Sequence, residues 1–130
     1  ILLYKDGAYI GKVTMFRDKF PYAHYAINEH VFFVSPKNEE YKNYLYFTLH
    51  QYEFFRLMQN LNRNAVQPGL SKGDIEKIKM IIPSSTIIRN YNDQVEPILQ
   101  VIFNLANQNT LLARQRDLLL PRLMSGKLEV

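Results

Sequence analysis

Apolar positions in this 130-residue chain change rhythm every few residues up to about residue 83. They then settle into one long seven-residue repeat. Ile1, Leu2, Leu3 and Tyr4 read as a strand. The chain opens inside it with no preceding cap, so the fold is expected to be incomplete at its N-terminus. Asp6-Gly7 is a turn signal that uses positive φ at glycine, and residues 8–14 are expected to return as the second strand of a hairpin. Residues 15–24 hold Arg17, Asp18, Lys19, Phe20 and Pro21 with no sustained period, which predicts a loop. Residues 30–35, with Val31, Phe32, Phe33 and Val34, are too apolar to alternate and predict a buried strand. From 39 to 60 the step becomes three and four: Tyr41, Leu45, Thr48, Leu49, Tyr52, Phe55 and Met58 form the stripe of one amphipathic helix. A polar loop follows over 61–70. Ser71 then caps a short helix with Asp74 near its positive end, and residues 77–82 alternate into a strand closed by Pro83.

Ser84, Ser85 and Thr86 offer caps for a final helix of about 34 residues, spanning roughly 50 Å. Tyr91, Ile98, Leu105, Leu112 and Leu119 recur every seven residues; Val95, Ile102, Asn109, Arg116 and Leu123 interleave four after each. These are the d and a series of a coiled coil. So small a head cannot cover so long a seam, which predicts a partner helix. Pro97 removes a ladder hydrogen bond and predicts a kink or break. Asn109 at an a position either fixes register or lies exposed on a curved helix; both readings stand at this point. The helix closes on a Leu block, Pro121 and a Ser125-Gly126 turn, followed by an alternating tail from Lys127 to Val130. The fold class is therefore α+β: a small mixed-sheet head over residues 1–83, then a helical arm with a short tail over 84–130.

Composition narrows the class further. A hydrophobic fraction of 47% supports a packed core and argues against disorder. There is no cysteine, so disulfides and thiolate metal sites are excluded and a reducing, cytoplasmic setting is expected. No apolar run approaches the roughly 18 residues of a spanning helix, so no membrane role is expected. The formal net charge is +4, with nine Lys/Arg against six Asp/Glu in residues 1–72 and seven against six beyond. That asymmetry places any polyanion-binding face in the first half.

No catalytic constellation assembles. His24, His30 and His50 lack metal-ligand spacing, and no cofactor or metal is expected. Glu40-Tyr41-Lys42 has the Glu-x-Lys form of many nucleases. No Pro-Asp precedes it on a paired strand, so it reads as the first turn of a helix. A binding surface is easier to build. Lys5, Tyr9, Lys12, Arg17, Lys19, Tyr22, His24 and Tyr25 lie within one hairpin and its following loop. Cations there neutralise phosphates, and Arg17 or His24 can reach base edges. In the other reading Tyr9 and Tyr22 are core and the cations only keep the loop soluble. Asn62, Arg63, Asn64 and Gln67 form a second candidate surface, since amides pair with adenine and Arg with guanine; any polar turn uses the same residues.

Three segments carry a resemblance to one family. LLYKDGAYIGKV is similar to the strand–turn–strand of a type I target-recognition domain. NLNRNAVQPGLSKGDIEKIKMIIP is similar to the stretch that closes it. RNYNDQVEPILQVIFNLANQNTLLARQRDLLLPRLMSGKLEV resembles the C-terminal helix and tail of the specificity (S) subunits of type I restriction–modification enzymes. The resemblance implies a non-catalytic DNA-reading head with a helical arm. It further implies double-stranded DNA as ligand, and methylase (M) and endonuclease (R) subunits as partners. The methylase, not this chain, would bind S-adenosylmethionine. A complete S subunit is similar to two such units in tandem with antiparallel arms. An isolated copy is therefore expected to form an antiparallel homodimer through Tyr91, Val95, Ile98, Ile102, Leu105, Asn109, Leu112, Arg116 and Leu119. A detached recognition domain of a fused restriction–methylation enzyme, and a coiled-coil adaptor without DNA reading, are the alternatives.

Overall fold

A computed structural model describes residues 1–17, 20, 22, 24–62 and 69–126. Three short strands, β1 (Leu2–Tyr4), β2 (Val13–Thr14) and β3 (Val31–Phe33), precede four helices: α1 (Lys42–His50), α2 (Tyr52–Asn62), α3 (Lys72–Glu76) and α4 (Ser85–Met124). The fold is α+β, and its sheet is wholly antiparallel in the order β2-β1-β3. The chain divides into two compact units, Ile1–Val95 and Glu96–Val130.

The first unit is built around β1. Leu3 pairs with Val13 on one side and Phe32 on the other. Strand alternation puts all three on one face, where they meet Ile10, Met58 and Leu70 in the core. Leu3 and Met58 are fully buried. β3 is an edge strand, not the buried one its composition predicted. Phe32 turns inward, but Phe33 points the other way and is 60% exposed.

The hairpin is also looser than expected. Gly7 does adopt positive φ (71°), as does Gly11 (82°). However, Gly7–Tyr9 tightens into a 3₁₀ turn, and only Val13 and Thr14 pair with β1. Gln59 of α2 ties the loop to that helix by donating to the Ile10 carbonyl at 2.7 Å.

The predicted single helix over 39–60 is two. Gln51 is extended (φ −65°, ψ 147°), and the Phe55 amide donates to its carbonyl. The break has a geometric reason. Leu49 and Met58 are nine residues apart, about two and a half helical turns, so one straight helix would place them on opposite faces. Breaking at Gln51 lets both be buried. The inward stripe of α2 is Phe54, Met58 and Leu61, and Tyr52 is 66% exposed.

The strand predicted over 77–82 is not formed. The alternation itself is present: Ile78 and Met80 are half-buried while Lys79 and Ile81 are exposed. No strand lies alongside among the described residues. Tyrosine hydroxyls serve the backbone instead, Tyr44 donating to the Ile81 carbonyl (2.7 Å) and Tyr41 to that of Pro83 (2.9 Å). Asn92, early in α4, donates to the Glu40 carbonyl, and Tyr91 meets Tyr44 edge-on at 6.3 Å.

Ser71 caps α3 as predicted. Its hydroxyl accepts from the Asp74 amide while the Asp74 carboxylate accepts from the Ser71 amide, a reciprocal pair that satisfies two orphan donors. The Ser71 hydroxyl, which also donates to that carboxylate at 2.7 Å, then the Ser71 amide and Lys77, hold the Asp74 carboxyl down to about 2. α4 runs 40 residues, unbroken at Pro97 and Pro121; of the kink or break expected at Pro97, the break is absent. It stops at Gly126, whose φ of 67° is free only to glycine. Residues 127–130, the alternating tail, lie outside the described residues. Among the described residues no helix is long and apolar enough to cross a membrane.

Candidate functional site

The core face of the sheet is occupied, so the chemistry of the first unit lies on its other face and on the loop between β1 and β2. Tyr4 alternates away from Leu3, and its ring lies 5.7 Å from that of Tyr9. The Lys12 ammonium sits 4.9 Å above the Tyr9 ring. The loop backbone holds this arrangement: Tyr4 donates to the Lys12 carbonyl, Gly11 to that of Tyr4, and Lys12 to that of Tyr9, all within 2.9 Å. Such a cation–ring contact contributes about 0.5–1 kcal/mol at an exposed site and leaves the ammonium facing solvent. Tyr9 is 57% exposed, so it is not a core residue; Tyr22 is likewise exposed.

Tyr4, Tyr9, Asp6, Ile27 and His30 line a groove of about 670 Å³. Across it His30 donates from Nδ1 to the Asp6 carboxylate at 2.9 Å. That bond, and the carboxylate charge behind it, raise the imidazole pKa above its ordinary value.

The other hairpin candidates are distributed around this nucleus. Tyr25 stacks on Phe16 with ring centroids 3.9 Å apart. Those two rings and Phe33 line a smaller hollow that Leu2 shares with the groove, so Tyr25 flanks the same sheet face. Lys5 has the opposite parity along β1 and extends over Phe32, 5.4 Å from its centroid. Arg17 is half-buried and bridges to Phe20 through paired backbone bonds. His24 is exposed. Lys19, Arg63, Asn64 and Gln67 lie outside the described residues, and Asn62 is the last residue of α2.

Sequence reasoning missed the corner between α1 and α2. His50, Tyr52 and Phe55 line a second hollow, of about 370 Å³, together with Lys12 and Gly11. Arg56 lies over Tyr52, its guanidinium carbon 5.8 Å from the ring, and donates to the Tyr52 hydroxyl at 3.3 Å. The signal was available as an aromatic–cation pair four residues apart. It was hidden by reading residues 39–60 as one helix, which assigned Tyr52 to the buried stripe. Among the described residues no cluster of three or more His, Asp or Glu side chains could hold a metal.

In the second unit, Ile98, Ile102, Leu105, Leu112 and Leu119 of the heptad series are exposed, as are Asn109 and Arg116. Arg116 is engaged in an ion pair with Asp117 at 2.7 Å. Tyr91 and Val95 belong to the first unit and are half-buried there.

The specificity subunit of the type I restriction enzyme MjaIX of Methanocaldococcus jannaschii is 28% identical over 110 residues, 85% of this chain and 25% of that protein. That of the type I restriction enzyme HindI of Haemophilus influenzae is 28% identical over 102 residues, 78% of this chain and 22% of that protein. The chain thus spans about a quarter of the length of the curated relatives it matches. No solved structure matches it. Residues 1–120 match the profile of the type I restriction modification DNA specificity domain. With that match covering 120 of the 130 residues, the chain belongs to the type I restriction–modification DNA specificity domain family.

Proposed function

We propose that this chain reads double-stranded DNA by binding, as a recognition part of a type I specificity subunit, and leaves bond-breaking to its partners. Residues 1–83 act as the reading head and 84–130 as the arm. The observation that carries the reading is the solvent-facing Lys12–Tyr9–Tyr4 cluster in a chain of the DNA specificity domain family. Lysine supplies charge for phosphate, and exposed tyrosines supply flat amphipathic surface. Lys5, Arg17, Lys19, Tyr22, His24 and Tyr25, with Asn62, Arg63, Asn64 and Gln67, are the remaining candidates for touching DNA.

The exposed apolar heptad positions of the second unit support a role in assembly. They offer a seam for a second arm, in an antiparallel homodimer or a tandem subunit, and for the methylase and endonuclease subunits. S-adenosylmethionine belongs to the methylase in this scheme. The same exposed positions favour a second reading, an interaction adaptor without DNA binding.

Retention on duplex DNA across a salt series separates the two. Replacing Lys12, Arg17 and Lys19 with alanine is expected to lower the salt slope by about 0.9 for each phosphate that is no longer neutralised. DNA binding with an unchanged slope would show that the hairpin is not the DNA face. No retention at low salt would leave the adaptor reading.

A further inference from the structure

We infer that the α1–α2 corner is a second DNA-contacting wall, in which Arg56, Tyr52 and His50 join Lys12 around a cleft that takes the sugar–phosphate backbone. The inference rests on the DNA-binding reading above and extends it to residues outside the hairpin. Lys12, His50 and Tyr52 line the same hollow, and among the described residues no acidic side chain lines it with them. Glu53, on the first turn of α2, is not part of that lining. Lys12, in the lining, sits over the Tyr9 ring, and Arg56, which like Glu53 is outside the lining, sits over the ring of the lining residue Tyr52.

Neither cation has a carboxylate within ion-pair distance among the described residues. Among the described residues a phosphate would therefore displace no carboxylate from Lys12 or Arg56, only the Tyr52 hydroxyl that Arg56 serves. Arg56 brings a planar fork suited to phosphate oxygens, while Tyr52 gives it a rigid platform.

The spacing between the two walls is set by backbone, not by flexible stems. A Cβ at Gly11 would lie 3.1 Å from the Met58 Cβ, which shows how closely the hairpin loop rests on α2. Gln59 ties the two together through the Ile10 carbonyl at 2.7 Å. Preorganised groups lose less freedom on binding, so two cations on locked elements make a better phosphate grip than the same two on separate loops.

The test uses the full chain and a short mixed-sequence duplex, with affinity measured over a four-fold rise in salt. Arg56→Ala and Lys12→Ala should each lower the salt slope by about 0.9, and the double variant by about 1.8. Each single change then makes the fall in affinity about 3.5-fold smaller over that range. Arg56→Lys keeps the charge and should restore the slope, which a purely structural role for Arg56 would not produce. If Arg56→Ala keeps the parent slope while Lys12→Ala lowers it, the corner does not touch DNA and the hairpin reading stands alone. If the unaltered chain is not retained on the duplex at low salt, the inference and the reading beneath it fall together.

Discussion

Gly11 offers the sharpest test of how the site is held, because Gly7 supplies a matched control in the same loop. Both have positive φ, 71° at Gly7 and 82° at Gly11, where an added Cβ approaches the following carbonyl oxygen and costs about 1–2 kcal/mol. Alanine also reduces the freedom of the unfolded chain, an offset common to both positions. The difference between them lies in the surroundings. Nothing comes within 4 Å of a Cβ at Gly7, whereas at Gly11 it would meet the Met58 Cβ at 3.1 Å and a Phe55 ring carbon at 3.4 Å. The Met58 Cβ is attached directly to the α2 backbone, so no side-chain rotation relieves the clash. Overpacking of this kind typically adds about 1–3 kcal/mol. Gly11→Ala is therefore expected to destabilise by about 2–5 kcal/mol and Gly7→Ala by about 1–2 kcal/mol. Urea titrations of both variants, followed by far-ultraviolet circular dichroism, measure the difference. Two variants equal within about 0.5 kcal/mol would refute the close approach, and with it the locking of the loop onto α2.

Two further outcomes follow from the hydrogen bonds. Tyr41→Phe removes the hydroxyl that serves the Pro83 carbonyl in a part-buried setting and should cost about 0.5–1.5 kcal/mol; an unchanged urea midpoint would mean that water replaces it. Asp74, held down to about 2 in the folded chain against about 3.9 unfolded, contributes stability that is fully present above about pH 4. That contribution is lost as pH falls through about 2. The stability gap between the chain and Asp74→Asn should thus close over that interval, and a gap independent of pH would contradict the capping-box assignment.

Elements whose partners are local were legible in the sequence. Ser71 and Asp74 sit three residues apart and complete each other's hydrogen bonds, so spacing alone identified the cap. The final helix was equally plain, since its apolar repeat and glycine stop lie along one stretch of chain. Errors arose where the deciding partner is distant. Residues 77–82 alternate as a strand does, but alternation reports only which side chains turn inward. The tyrosines of α1 and the turn before it, not a neighbouring strand, take the backbone carbonyls at Ile81 and Pro83. Pro97 was expected to kink or break α4, and the helix runs through it without a break.

The candidate site divides the same way. Sequence alone determined that the first half carries the cationic surplus, that Lys12 and Tyr9 share one loop, and that α4 bears an apolar repeat. Those are properties of residue type and spacing along a single element. Tertiary structure decided that Lys5 turns to the opposite parity from Tyr4 and lies over Phe32. It also decided that Gln51 breaks the helix and that His50 and Tyr52 line the same hollow as Lys12. The physical reason is that no short-range pattern encodes which surfaces a chain brings together. Burying Leu49 and Met58 at once requires the break at Gln51, and only that break places the α1–α2 corner beside the hairpin.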